Sequence, residues 1–266
     1  MTTKQISNTK PSAGVFGVYK RTGETPLQCL DRLRLEQIQY QNQILSYAGR
    51  LDPLASGVLL VLAGEEANRD RKEYLGLSKT YEVEVLFGVS TDTYDVLGLV
   101  MDTKAYDIGG ITETVESSAR DVSNFNEMEY PPFSSKPVNG KSLFQWAREG
   151  RLGEISIPKQ EGKILNIEII GIDQKSRSDI RDQILSLISR VSGDFRQEEI
   201  SKRWNEVLNK NEINEFLIVK FRIDCESGVY MRSFAHKLGE IIDIPALALS
   251  IIRTRVGTFD MNSVVS

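Results

Sequence analysis

Apolar residues recur along this chain with two different periods, and the changes of period mark its elements. Gly14–Tyr19 (GVFGVY) reads as a strand running into the basic pair Lys20-Arg21. Thr25 followed by Pro26 predicts a helix start, with threonine as N-cap and proline at the first helical position. Leu27, Leu30 and Leu33 then supply an apolar face through about Gln37. Turn residues from Gly49 to Gly57 predict a loop, and VLLVLAG after it is short enough for a buried strand. Over Thr80–Phe87, Tyr81, Val83, Val85 and Phe87 alternate with Glu82 and Glu84, the pattern of a half-buried strand. The polar, Asp-rich stretch Gly88–Gly98 predicts a loop, and Thr112 predicts the cap of a helix running towards Asn124. Tyr130–Asn139, with three prolines, predicts irregular chain. Ile164–Ile172 and Phe216–Cys225 read as strands and Met231–Ile242 as a helix.

Strands and helices interleave without the regular rhythm of a doubly wound sheet, so the fold class is mixed α+β. Residues 178–215 differ from the rest. Ile180, Ile184, Leu187, Ile188 and Val191 form one helical face, Ser192-Gly193-Asp194 breaks it, and Ile200, Trp204, Val207 and Leu208 form a second. This predicts a helical hairpin packed on the sheet as an insertion over about 173–217.

Composition narrows the classes. At 266 residues the chain can bury a substantial core. No run approaches the ~20 apolar residues that cross a bilayer, and the polar start MTTKQISNTKPSAG has no signal core. Two cysteines, Cys29 and Cys225, and a single histidine, His236, cannot assemble a zinc site. A reducing cytoplasm fits. The net charge of −4 hides an uneven distribution, because residues 1–50 carry seven Lys/Arg (Lys4 and Lys10 among them) against three acidic residues. A basic end on an acidic body can present a positive groove. Trp146, Trp204 and both cysteines read as packing residues, and His236 as structural.

The chemistry centres on Asp52, held between Leu51 and Pro53 in a glycine-bounded loop. Taken alone, such an aspartate is most simply a turn residue. The surrounding segment AGRLDPLASGVLLVLAGEEAN, however, resembles the catalytic motif of the TruB family, the tRNA pseudouridine-55 synthases. GVYKRTGETP resembles the family's opening strand and lysine, and KTYEVEVLFGVSTDTYDVLG its tyrosine-bearing strand and Asp-rich turn. YPPFSSKPVNGKSLFQWAREG resembles its proline-rich block and SGVYMRSFAHKLGE its arginine motif. Five blocks in order, over most of the chain, are a specific pattern. The resemblance implies a single catalytic domain of the pseudouridine synthase type over 1–266, its mixed, largely antiparallel sheet flanked by helices.

It also implies roles. Asp52 would be the nucleophile, Arg232 its ion-pair partner and Tyr81 the aromatic platform for an extruded uracil, with a hydroxyl that could assist proton removal from C5. Lys20 matches the family lysine, with a structural or phosphate-neutralising role; Tyr47 and Arg50 beside the loop are candidate RNA contacts. Asp92 would cap the Asp-rich turn. No metal, cofactor or membrane is implied; the expected partner is the T-arm of tRNA and the expected state a monomer. The chain departs from the family by carrying Tyr47 where a histidine is usual, and the C-terminal PUA-type module of bacterial members is expected to be missing. Two rival readings are a non-catalytic RNA-binding or RNA-folding protein on the same domain, and a glycosidase-type hydrolase. The first would tolerate loss of Asp52, Tyr81 or Arg232, all of which are present. The second needs another carboxylate, for which Asp92 and Asp95 qualify by type only.

Overall fold

A computed structural model describes residues 13–125, 127–210 and 212–265; Lys4 and Lys10 lie outside them. Eight strands form the main sheet: β1 (Gly14–Lys20), β2 (Leu45–Ala48), β3 (Ser56–Ala63), β4 (Lys79–Phe87), β5 (Ile164–Ser176), β6 (Glu215–Cys225), β7 (Ala246–Val256) and β8 (Phe259–Asp260). The order is β1-β3-β7-β4-β6-β5, with β2 added to β3 and β8 to β7. Every pairing is antiparallel except the short one between β7 and β3, at Ile252↔Ser56 and Arg253↔Gly57.

Both faces of the centre are covered, which explains why β3 reads as one unbroken apolar run. Strand alternation sends Val83, Val85 and Phe87 of β4 to one core, with Val219, Phe221 and Ile223 of β6. Helices α1 (Pro26–Glu36), α2 (Ile108–Ser123) and, from further along, Met231–Ile242 pack there through Leu30, Val115 and Phe234. Leu86 of β4 and Ile218 of β6 point to the opposite face and meet Ile184 and Trp204.

Those last two residues belong to the helices α3 (Arg177–Ser189) and α4 (Gln197–Lys210), which join β5 to β6. The expected hairpin is present, and the flanking strands confine it to the residues between Ser176 and Glu215, which still pair. The helix Met231–Ile242, α5, also falls where the sequence places it. Thr25 caps α1 as read, with its hydroxyl accepting from the Gln28 amide at 3.2 Å and the Gln28 side chain accepting from the Thr25 amide at 2.7 Å. Trp204, Cys29 and Cys225 are fully buried.

Three local readings change. Helix α2 is capped not by Thr112 but by Asp107, whose carboxylate accepts from the amides of Gly109 and Gly110; two glycines in the first turn, poor helix formers, masked the start. Residues 88–98 are not wholly loop, since Val89–Thr91 pairs with Val100–Thr103. The sheet also contains β2 and β7, which the periodicity did not single out.

Candidate active site

Asp52 lies in the loop between β2 and β3, and the loop is pinned through its carbonyls. The Lys20 ammonium, fully buried at the end of β1, donates to Ala55 O at 2.5 Å and to Pro53 O at 3.2 Å. Arg253, buried on β7, donates to Gly49 O at 3.0 Å and Val58 O at 2.8 Å. The Gly23 amide donates to Pro53 O at 2.8 Å, and the Ala55 amide closes a turn onto Asp52 O at 3.1 Å. Gly57, with φ at +106°, lets the loop pass against β7, where any Cβ would collide with the Arg253 backbone. Leu51, Leu54 and Ala55 anchor the loop in the interior. The backbone carrying Asp52 is therefore fixed on both sides.

The side chain of Asp52 faces a cleft of about 660 Å³. Arg232 meets it in a two-pronged charge-assisted contact, Nε to Oδ2 at 2.8 Å and Nη2 to Oδ1 at 3.1 Å. Arg232 sits in the first turn of α5, where the helix dipole disfavours a cation. Asp52, with Asp95 Oδ2 3.7 Å from the guanidinium, offsets that cost. Two further Arg232 donors go to carbonyls, Nη1 to Thr93 O at 2.7 Å and Nη2 to Phe133 O at 3.3 Å. The guanidinium plane is held at four points.

By residue type alone, Asp95 qualifies only as a second carboxylate for a hydrolase. It is buried, and its Oδ1 accepts from the Leu97 amide at 2.9 Å and the Thr93 hydroxyl at 2.7 Å. Burial pushes its carboxyl up to about 6, against the pull of Arg232 and with help from Asp52. It lines the cleft beside Asp52 and faces Arg232, as part of the support for the cation.

Tyr81, on β4, is buried yet lines the cleft. Desolvation drives its hydroxyl above the ordinary phenol range, with Arg253 acting in the opposite direction. The phenol is thus held protonated, which suits a stacking platform and a hydrogen-bond donor better than an ionised base. Tyr47 and Arg50 sit together on the cleft lining, Arg50 Nη2 donating to Tyr47 Oη at 3.2 Å, with the Arg71 guanidinium 6.0 Å from the Tyr47 ring. Lys20 does not join them. Wholly buried and bonded to loop carbonyls, it cannot reach a phosphate; its work is structural, and burial lowers its pKa to about 8.

Several lining residues escaped the sequence reading. Lys79 donates to Leu75 O at 2.8 Å and Leu77 O at 2.5 Å, and burial, then Arg253, lowers it to about 8. Arg253 had a signal, a basic residue among the aliphatic ones of ALALSIIRTRV. Asp194, Phe195 and Arg196 reach the cleft from the turn between α3 and α4. Asp92, expected to cap its turn, does so through the Leu99 amide at 2.8 Å, and it also pairs with Arg196 Nη1 at 2.8 Å.

Residues 38–186 match the TruB family pseudouridylate synthase N-terminal domain. This chain belongs to the TruB family. The tRNA pseudouridine synthase B of Bacillus anthracis is 30% identical over 253 residues, covering 95% of this chain and 69% of that protein. Its namesake from Geobacillus thermodenitrificans is 28% identical over 254 residues, with 95% and 70% covered. Two solved structures share the fold of this TruB family chain. One, an H/ACA RNP bound to a substrate RNA containing 2′-deoxyuridine, aligns with a TM-score of 0.53 at 17% identity, covering 94% of this chain and 49% of that one. A Cbf5-Nop10-Gar1 complex aligns at 0.54 and 16% identity, covering 94% and 52%. The chain spans about half the length of these solved chains. Among the described residues of this TruB family protein, no helix is long and apolar enough to cross a membrane.

Proposed function

We propose that this chain isomerises a uridine in RNA to pseudouridine with Asp52 as nucleophile, and that its substrate is the T-loop uridine of tRNA. The observation that carries the reading is Asp52, on a loop fixed through its carbonyls, clamped by Arg232 at a cleft that Tyr81 also lines. The reaction breaks the N1–C1′ bond, turns the uracil, and joins C5 to C1′; C5 gives up a proton and N1 gains one. Neither an oxidant nor a water is consumed, so a nucleophile, a cation, a stacking surface and a relay for the C5 proton, assigned to the Tyr81 hydroxyl, make up the protein's share.

In this reading Arg232 keeps the Asp52 carboxylate oriented, and Tyr81 stacks on the flipped base. Tyr47 and Arg50 meet the RNA at the cleft, Arg50 through a phosphate. A T-loop presents its bases by shape and by unstacking, which a cleft this size can receive. The protein works as a monomer in the cytoplasm.

The test is pseudouridine formation on an unmodified tRNA transcript, with wild type beside Asp52→Asn. Wild type converts the T-loop uridine and the variant does not. An Asp52→Asn variant as active as wild type would end the nucleophile assignment, and wild type that binds tRNA without converting it would end the proposed substrate.

A further inference from the structure

The hairpin between β5 and β6 contributes a residue to the active site, and its route there is specific. Arg196, in the turn after α3, has φ at +63°, a left-handed conformation that costs a non-glycine residue with a bulky side chain. The turn around it is tied down. Gln197 Nε2 donates to Val191 O and Gly193 O, Ser192 N to Gly23 O, and Arg148 Nη2 to Asp194 O at 2.7 Å. That backbone aims the Arg196 guanidinium inward, and it finds two partners. Nη1 donates to Asp92 Oδ2 at 2.8 Å, and the guanidinium lies 4.2 Å from the centre of the Phe133 ring.

These partners are informative. Asp92 immediately precedes Thr93, whose carbonyl accepts from Arg232 Nη1, and the carbonyl of Phe133 accepts from Arg232 Nη2. Thus Arg196 joins, from the outside, the two separate segments that hold the Arg232 guanidinium from the inside. Both side chains of the Arg196–Asp92 pair are about one-fifth exposed, 21% and 20%, which leaves the pair shielded enough to matter and close enough to the cleft to respond to it.

We infer that Arg196 is a positioning residue for the reaction: it sets the Thr93 and Phe133 carbonyls that orient Arg232, and so makes the hairpin part of the catalytic apparatus. This rests on the proposed isomerase reading. Lysine at this position would keep the charge facing Asp92 but lose the planar stack on Phe133, so the two halves of the role separate.

The experiment compares wild type with Arg196→Ala, Arg196→Lys, Asp92→Asn and the distal hairpin variant Arg181→Ala on the tRNA transcript. Exchange of the Arg232 Nε–H is followed by NMR in the same proteins. Arg196→Ala lowers kcat about ten- to a hundredfold with KM within about twofold, the signature of misplacement rather than lost binding. Arg196→Lys recovers part of the loss, Asp92→Asn lowers kcat in the same direction, and the double substitution costs less than the two combined. Arg181→Ala, which removes a surface pairing with the neighbouring Asp182, leaves kcat unchanged. Exchange at Arg232 quickens at least tenfold in Arg196→Ala. A rise in KM at unchanged kcat would overturn the inference, as would unaltered exchange at Arg232. Because exchange is read without turnover, an inactive wild type sinks the isomerase reading while the positioning of Arg232 is still decided.

Discussion

The cleft has a floor and a wall, built on different principles. In the floor, Lys20, Lys79 and Arg253 are buried cations whose donors go to main-chain carbonyls of the loop and its neighbours. Neighbouring side chains can vary without moving Asp52, because the bonds run to backbone. The wall, the tip of the α3–α4 hairpin, is attached mainly through side chains: Arg196 to Asp92, and Arg148 to Asp194 in a pair 41% and 82% exposed. The second of these pairs is exposed, and such pairs are weak and screened by salt. One cleft therefore combines a rigid platform for the Asp52 carboxylate with a more adjustable surround, and rigidity is concentrated at the proposed nucleophile.

Four substitutions test that contrast. Arg232→Met removes the cation shared by floor and wall and leaves Asp52 and Asp95 facing each other unpaired; it should destabilise the protein by about 3–5 kcal/mol, seen in denaturant unfolding, and abolish pseudouridine formation. Retained activity would break the floor-centred account. Next, Trp204→Ala opens a cavity beneath the hairpin, and also orphans Val96 O, which accepts from the indole at 3.1 Å. It should cost about 3–4 kcal/mol, with amide exchange rising in α3 and α4 while β3 and β4 stay protected. Equal loss of protection everywhere would show that wall and floor are one unit. Gly23→Ala strikes the joint: at φ +95° a methyl group would run into the Arg190 carbonyl, and about 1–3 kcal/mol is expected by thermal unfolding.

Lys20→Met should have the smallest effect at pH 7, within about 1 kcal/mol, because lost bonds to Pro53 and Ala55 are offset by relief of a buried charge. Its signature is in pH. Lys20 falls from 10.5 to about 8 in the folded protein, so the unfolded chain binds more protons between those values. The cost of burying the ammonium is present below about 8 and disappears as pH rises through 10.5. Wild type should gain stability relative to Lys20→Met across that window; a constant difference would mean the ammonium is better solvated than its surroundings suggest.

The sequence made much of the floor legible and little of the wall's role. Strands β3, β4 and β6 declare themselves through apolar periodicity, and the Asp52, Tyr81 and Arg232 segments through their resemblance to a family. What stayed hidden follows from physics. Period-two reading is blind to a charged residue satisfied by carbonyls, so Arg253 within β7 and Lys20 at the end of β1 look like surface basics until their acceptors are seen. Arg196 was invisible for another reason. Its reach to Asp92 depends on a left-handed backbone and on a contact between residues 104 positions apart, and no local pattern encodes that.

The place of β7 in the sheet has a consequence for the making of the protein. It is the last long strand in chain order, yet it lies between β3 and β4, which leave the ribosome far earlier. Until it arrives, those two strands present bare edges to one another and to other chains, the arrangement most prone to wrong pairing. Arg253 travels on that same strand, so the loop bearing Asp52 gains its hold on Gly49 and Val58 only once β7 has been made and has paired. The fixing of Asp52 is thereby coupled to β7, and a nascent chain that has not reached it holds the loop through Lys20 and Gly23 without Arg253.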